Sequence, residues 1–300
     1  MRDGRGLNSE FEEKRYEFLS GRLRMELRGR LGNQLFGWAT GYAISTDLGL
    51  KFCMSARTVR GNLDLLDLDL GTPLCNEGGI ADLYRRSLKL KRARLFTGIG
   101  AVVEEGSHEY DPRVLGVRAT QTLRGYFQSW RYFEHHRDVV VEKVSNLRAP
   151  SSSFREKLTA LEQDQWVAIH VRGGEYRKKS DTFVQLGSAY YAQALETVQS
   201  RIRNPRIVLF SDDIEYAKEV VPQFDEALSS DEIPSPAERL VLSMRANALV
   251  GANSTFSWWA AYGQQKTNSI QIVPSNWFVA NWLSESDLLY PDWIVIPVQD

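Results

Sequence analysis

The sequence of 300 residues has few cysteines, no long apolar run and almost no net charge. Its two cysteines, Cys53 and Cys75, are too few for a disulfide framework and lack metal-ligand spacing, so we interpret both as reduced core thiols. No stretch reaches the ~18 apolar residues of a membrane-spanning helix, and the start of the chain lacks the apolar centre of a signal peptide. The net charge of −1 argues against non-specific nucleic-acid binding.

What is present fits a folded protein of ordinary composition. Apolar residues make up 43% of the chain and charged residues 25%, which is typical of soluble globular proteins. A chain of this length can form one large domain or two ordinary ones. We therefore expect a soluble intracellular protein with a substantial core.

The apolar pattern predicts strands that alternate with helices. A period-2 strand begins at Leu23, and a Gly-containing turn leads into a helix from about Asn33. In the second half, a buried strand is expected at Trp166 to Val171 and further strands at Arg206 to Phe210 and Ala248 to Gly251, each followed by a helix. Such alternation implies parallel, doubly wound sheets.

Composition shifts suggest where the domains begin and end. Residues 1–21 are polar without apolar periodicity, so we expect an extension there. A Pro- and Ser-rich linker lies near residue 150. We therefore predict an N-terminal α/β domain over 22–150 and a C-terminal Rossmann-like domain over 151–300.

Polar residues follow three predicted strands of the second half. Because ligands of open parallel sheets bind outside the carboxyl ends of the strands, these segments are candidates for a nucleotide diphosphate site. Arg offers a planar fork for phosphate oxygens, and a helix start offers free backbone amides. The three segments are His170 to Tyr176, Phe210 to Asp213 and Asn253 to Trp259.

Each of these residues also has a plain structural interpretation. Ser254 or Thr255 could be the N-cap of one helix, and Asp212 or Asp213 could be the N-cap of another. His170 lies on an apolar strand, where a hydrogen-bonded core histidine is the commoner case. Arg172 is harder to explain without a ligand or partner, because a charge at the end of a buried strand must be compensated.

The same segments resemble the α1,2-fucosyltransferases, glycosyltransferase family 11. The segment with the sequence GRLGNQLF resembles the N-terminal signature of that family, and HVRGGEY is similar to its H-x-R-R-G-D-Y motif. FSDD and NSTFSWWAA are similar to two further blocks, the last being the most distinctive. Weaker similarities lie at 125–128 and 274–278. The motifs begin at residues 29, 170, 210 and 253, so the resemblance spans the folded chain.

The resemblance implies a fold and a reaction. It implies a GT-B-like fold, with two Rossmann-like doubly wound parallel-sheet domains facing a cleft, the N-terminal one binding the acceptor and the C-terminal one GDP-fucose. It implies inverting transfer of L-fucose to a glycan acceptor, α1,2 to galactose, in cell-surface polysaccharide or oligosaccharide synthesis, without metal or other cofactor. We expect a bacterial cytoplasmic enzyme without an integral membrane segment, with peripheral association at the inner membrane as an alternative.

The resemblance also implies site residues. Arg172 would stabilise the leaving diphosphate, Asn33 would lie near fucose or acceptor, and Glu175 would order its loop or act as a base, the first role being favoured. The donor-binding residues would be Gly32, His170, Arg172, Asp212, Ser254, Thr255 and Phe256.

Three positions depart from the pattern of the family. Gly173 and Glu175 stand where the family has Arg and Asp, and Arg239 stands where an acidic residue is usual. These departures leave the donor contacts open.

Other interpretations remain to be separated by experiment. Asp64, Asp67 and Asp69 superficially suggest a metal site, but they alternate with Leu, which favours a strand or turn with one solvated face. The alternatives in function are a fucosyltransferase of another linkage or another GDP-sugar, and a non-catalytic GDP-sugar- or glycan-binding homologue. A Rossmann dehydrogenase is disfavoured, because Gly29 and Gly32 lack the G-x-G-x-x-G spacing.

Overall fold

The computed structural model describes residues 22–59, 61–75, 101–118, 120–221, 223–280 and 282–298. The expected extension over 1–21 lies outside these ranges. So does the stretch from Ile80 to Phe96, whose basic sequence predicts a helix. The chain divides into two compact units. One contains Phe36–Gly61, Gly71–His135 and the described residues up to Gly29; the other contains His136–Asp300 together with Arg30–Leu35 and Asn62–Leu70.

The first unit has a parallel sheet in which β2 (Lys51–Ser55), β1 (Arg22–Glu26), β4 (Thr122–Arg124) and β3 (Val102–Glu104) lie side by side in that order. Its residues at odd positions from Leu23 face the core, as the period-2 pattern predicts, because Leu23 and Met25 are fully buried. The predicted β-α-β start is confirmed, and the helix begins two residues earlier than expected. This helix, between β1 and β2, is α1 (Leu31–Asp47).

The second unit has a larger parallel sheet with the order β10-β9-β8-β5-β6-β7. One of the two central strands, β5 (Trp166–Val171), is buried along its whole length, which explains the continuous apolar run in its sequence. The strands are β5 (Trp166–Val171), β6 (Arg206–Ser211), β7 (Glu226–Leu228), β8 (Ala248–Val250), β9 (Ile270–Pro274) and β10 (Ile294–Ile296). The helices are α2 (Arg137–Ser145), α3 (Ser152–Leu161), α4 (Gly174–Arg177), α5 (Ser188–Gln199), α6 (Ile214–Val220), α7 (Pro236–Ser243) and α8 (Thr255–Tyr262).

The two cysteines are joined in the first unit, so the expectation of reduced thiols is wrong. Cys53 and Cys75 form a disulfide, with their Cα atoms 5.1 Å apart. Leu74 forms a parallel bridge with Met54, and the Cys75 amide donates to the Met54 carbonyl at 2.8 Å. This backbone pairing brings together two buried residues that are 22 positions apart in the sequence.

In the described part of the chain, no helix combines the length and the apolar character that a membrane span would require.

Candidate active site

The three polar segments of the second half leave neighbouring strands. β8, β5 and β6 lie side by side in the sheet and pair in parallel. Their carboxyl ends therefore meet at one edge, as the sequence predicts.

Arg172 follows β5 and is held from two sides. Its Nη1 atom lies 2.9 Å from Oδ2 of Asp212, and its guanidinium stands 4.8 Å from the ring centroid of Tyr176. The other carboxylate oxygen of Asp212 accepts a hydrogen bond from the Gly173 amide at 3.1 Å. These contacts fix the plane of the guanidinium, and the Arg172 side chain remains 23% exposed, which leaves surface for a ligand.

Asp213 has a different role from its neighbour Asp212. It is the N-cap of α6, where its side chain accepts a hydrogen bond from the Tyr216 amide at 3.1 Å. Its other oxygen lies 4.0 Å from Arg177, whose guanidinium stands 4.7 Å from the Tyr216 ring. Of the two aspartates, Asp212 is thus the one that contacts Arg172.

His170 is buried and both of its ring nitrogens have hydroxyl partners. Nδ1 lies 3.1 Å from Ser257 Oγ, and Nε2 lies 2.9 Å from Ser243 Oγ. Burial, with a smaller effect from the charge of Arg172, lowers the pKa of His170 to about 3. The ring is therefore neutral and ties β5 to α7 and α8. Its contact with a donor stays a prediction.

The hydrogen bonds around His170 fit one tautomer. Ser243 donates its hydroxyl proton to the Arg239 carbonyl at 2.7 Å, so it accepts from Nε2–H of His170. Nδ1 then accepts from Ser257, whose oxygen in turn accepts from the Ala252 amide at 3.2 Å. Because every partner is satisfied, the network rigidifies the start of α8.

We expect His170 to give the protein a pH-dependent stability. The unfolded histidine protonates near pH 6.5 while the folded one stays neutral down to about pH 3. The depressed pKa therefore stabilises the fold above pH 6.5, and this contribution is lost as the pH falls. Between pH 7 and 5 the free energy of unfolding should drop by about 2 kcal/mol from this group.

Denaturant unfolding at both pH values, with wild type and His170→Gln, measures this drop. The variant should lack the contribution of about 2 kcal/mol, since glutamine does not titrate. An equal pH dependence in both proteins, or NMR signals of a charged His170 at pH 5, would contradict the assignment.

Gly32 packs directly on the first turn of α8. A Cβ atom placed on Gly32 would lie 2.6 Å from the Thr255 carbonyl carbon and 2.7 Å from the Phe256 amide nitrogen. The Gly32 carbonyl accepts a hydrogen bond from the Trp259 indole at 3.0 Å. The ring of Phe256 lies 5.3 Å from that of His170. The structure thus brings Gly32, Thr255 and Phe256 together, with Asn33 next in the chain and partly exposed.

Ser254 is the N-cap of α8, so its plain structural interpretation holds. Its Oγ accepts a hydrogen bond from the Ser257 amide at 3.2 Å and lies 2.9 Å from Ser257 Oγ. Ser254 is 5% exposed, which leaves little surface for a ligand. A contact of Ser254 with the donor stays a prediction.

Glu175 is placed beside Arg30 rather than Arg172. Its Oε1 atom lies 3.7 Å from Arg30 Nη2, and both side chains are mostly exposed. Arg30 immediately precedes α1, and its carbonyl accepts a hydrogen bond from the Gln34 amide at 3.0 Å. A link between these two motifs was not expected from the sequence.

The acidic run that suggested a metal site forms a 3₁₀ turn over Asp64–Asp67. Asp67 accepts a hydrogen bond from the Ser235 hydroxyl at 2.6 Å. Burial and the charge of Asp67 raise the pKa of Asp64, while Arg239 and Arg30 lower it. The run therefore connects to α7 and to the segment before α1.

Sequence reasoning missed an aromatic row beside Arg172. Tyr176 stacks on Phe183 at 4.3 Å between ring centroids, and Phe183 contacts Phe278 at 5.9 Å. The amide of the buried Asn253 donates to the carbonyls of Val184 and Trp277, at 2.9 and 3.0 Å. The weak similarity at 274–278, which covers Trp277 and Phe278, was the signal in the sequence for this row.

Comparison with solved structures gives the fold. FUT1 of Arabidopsis thaliana, solved in complex with GDP, matches 88% of this chain and 74% of its own, at a TM-score of 0.50 and 12% identity. The ADP-heptose lipopolysaccharide heptosyltransferase II of Escherichia coli matches 92% and 90% at the same TM-score and 11% identity. With the two parallel-sheet units, these likenesses confirm the GT-B-like fold.

Sequence comparison gives the family. An alpha-1,2-colitosyltransferase of Escherichia coli is 24% identical over 90% of this chain and 97% of its own length. The galactoside 2-alpha-L-fucosyltransferase Sec1 of Mus musculus is 25% identical over 81% of this chain and 64% of its own. The profile of glycosyl transferase family 11 matches residues 107–297, more than half of the sequence. The chain therefore belongs to glycosyl transferase family 11.

Proposed function

We propose that this glycosyltransferase is an inverting fucosyltransferase that moves L-fucose from GDP-fucose to a glycan hydroxyl, with α1,2 linkage to galactose. The observation that carries the proposal is the fixed guanidinium of Arg172 at the carboxyl edge of the sheet. Family membership and the names of the relatives support the sugar and the linkage.

The proposed reaction needs stabilisation of a leaving group. The acceptor oxygen attacks the anomeric carbon while the bond from that carbon to the β-phosphate oxygen breaks, and its electron pair stays on GDP. The hydroxyl proton passes to a base or to water. Preorganised donors at the site of growing charge are usually the largest catalytic contribution. Arg172 supplies two N–H groups in one plane, and the start of α8 supplies backbone amides.

The other predicted residues are proposed for supporting roles. Asn33 lies one residue from the contact between Gly32 and Thr255, so we place it near the transferred sugar or the acceptor. Glu175, paired with Arg30, orders its loop instead of acting as the base. His170 keeps α8 in register with β5 through its two serine partners. The reaction is proposed to need no metal or cofactor.

A second candidate is transfer of a different sugar. The name of the Escherichia coli relative, which this chain matches over 97% of that relative's length, favours colitose as the alternative. The residues proposed to bind the phosphates would serve either sugar, because the diphosphate is common to nucleotide-diphosphate-sugar donors.

A donor panel with wild-type protein tests the proposal. GDP-fucose and other GDP-sugars are offered with β-galactosides and other glycans, released GDP is measured, and the product linkage is determined by NMR. We expect GDP-fucose to be used and the product to be α1,2-linked. EDTA should leave the rate unchanged.

Each alternative has its own outcome in this panel. Preference for another GDP-sugar, or another linkage, would replace the proposed donor or product. Tight GDP binding without transfer or donor hydrolysis would favour a non-catalytic homologue. Loss of transfer in EDTA, restored by Mn²⁺ or Mg²⁺, would contradict metal independence.

A further inference from the structure

Arginines near the candidate site already have carboxylate neighbours before any ligand binds. Arg172 is paired with Asp212 at 2.9 Å, so its charge is largely balanced. A diphosphate brings several negative charges, and it would meet Asp212 as well as Arg172. A further cation is therefore needed for a leaving group on which charge increases.

Arg30 is more easily released toward such a ligand than Arg172. Its contact with Glu175 spans 3.7 Å, and the two side chains are 78% and 62% exposed. The pair of Arg172 and Asp212, by comparison, is 23% and 26% exposed. Exposed ion pairs contribute little to stability, so breaking the contact of Arg30 with Glu175 has a small effect on the fold.

The backbone of Arg30 is held in place while its side chain is exposed. Its carbonyl accepts from Gln34 in the first turn of α1. Two residues later, Gly32 packs against Thr255 and Phe256 at the start of α8. The base of the Arg30 side chain is thereby anchored beside a predicted phosphate-binding segment of the same unit, while its exposed guanidinium keeps its rotational freedom.

Two carboxylates, of Glu175 and Asp64, lie near Arg30 in the absence of a ligand. Glu175 is its ion-pair partner, and Asp64 is close enough for the charge of Arg30 to lower its pKa. Asp64 also interacts with Arg239. These carboxylates stabilise the guanidinium near the site in the absence of a ligand.

We propose that Arg30 is a second diphosphate-binding cation of this enzyme, which exchanges Glu175 for the phosphate oxygens when the donor binds. Glu175 is then a positioning residue that holds Arg30 between turnovers. The identity of the nucleotide rests on the proposed function, but the exchange itself requires only a diphosphate.

Binding measurements with single and double variants test this exchange. Affinities for GDP, GMP and inorganic pyrophosphate are measured by calorimetry for wild type, Arg30→Gln, Glu175→Gln and the double variant. Arg30→Gln should weaken GDP and pyrophosphate by about tenfold and GMP by less than about threefold. Glu175→Gln should strengthen GDP about threefold, since a competing carboxylate is removed, and this gain should vanish in the double variant.

Arg177→Gln is the matched control, because Arg177 also has a distant carboxylate partner and faces the Tyr216 ring. It should change GDP affinity by less than about twofold. Circular dichroism and melting curves for each variant separate loss of binding from loss of fold.

The outcomes separate this inference from the proposed function. Unchanged GDP and pyrophosphate affinity in folded Arg30→Gln, or equal losses for GDP and GMP, would overturn the role of Arg30 even if fucose transfer is observed. Weaker GDP binding in Glu175→Gln would show a purely structural pair and would also overturn it. If wild-type protein does not use GDP-fucose but Arg30→Gln still weakens pyrophosphate binding as expected, the proposed donor is rejected and the role of Arg30 is retained. Absence of any diphosphate binding would reject both.

Discussion

Gly32→Ala is expected to destabilise the protein by about 3 kcal/mol and to reduce transfer by the remaining folded protein at least tenfold. The added methyl group would lie 2.6 Å from the Thr255 carbonyl carbon and 2.7 Å from the Phe256 nitrogen. Because these are backbone atoms, no rotamer change relieves the clash, and the backbone at Gly32 must move away from the start of α8. That shift also lengthens the buried hydrogen bond from Trp259 to the Gly32 carbonyl. Urea unfolding and turnover at saturating donor measure the two effects.

Two further variants identify the cause of the loss. Gly116→Ala introduces the same methyl group where no heavy atom lies within 4 Å, so it should leave stability within about 0.5 kcal/mol of wild type. The Thr255 hydroxyl oxygen also lies 2.6 Å from the added carbon, and Gly32→Ala combined with Thr255→Ala removes that contact. The double variant should remain as impaired as Gly32→Ala, because the backbone contacts persist. Recovery of stability would place the clash on the hydroxyl alone.

The sequence was sufficient to predict where the polar motifs meet. The strands that precede Arg172, Asp212 and Asn253 are apolar and alternate with helices, which implies a parallel sheet with its carboxyl ends at one edge. The sequence therefore predicts which side chains meet at this edge. The pairing of Arg172 with Asp212 follows from the adjacency of β5 and β6.

Contacts between distant segments could not be predicted in the same way. Arg30 and Asp64 belong to two short segments that group with the second unit although they lie far before it in the chain. No periodicity in the sequence shows that these two segments group with the second unit. The pairing of Arg30 with Glu175 depends on this grouping, and the disulfide of Cys53 with Cys75 depends on a backbone pairing within the first unit.

Three short strands and one short helix were missed, although β8, which also has three residues, was predicted from its apolar run. The strands β3, β7 and β10 have three residues each, and α4 has four. Their structure is imposed by neighbours rather than by local sequence preference. His170 illustrates a related limit: its apolar strand predicts burial, but only the structure identifies the two serines that occupy its nitrogens.

Arg172→Lys is expected to lower turnover by at least about 10²-fold and to weaken GDP binding. Lysine retains the positive charge but has no planar fork, so it cannot satisfy Asp212 and two phosphate oxygens at once. It also loses the face-on contact with Tyr176 that fixes the guanidinium plane. The largest loss should appear in turnover rather than in KM, because the charge on the leaving diphosphate grows toward the transition state.

A matched arginine close by serves as the control for this substitution. Arg177 stands over Tyr216 at 4.7 Å and lies 4.0 Å from Asp213, which repeats the arrangement of Arg172 with Tyr176 and Asp212 at a more exposed position. Arg177→Lys should keep turnover within about threefold of wild type. If both variants lose activity equally, the effect comes from the shared fold of this edge. If Arg172→Lys turns over at nearly the wild-type rate, the leaving group is stabilised elsewhere, and the amides of α8 with Arg30 become the groups to test.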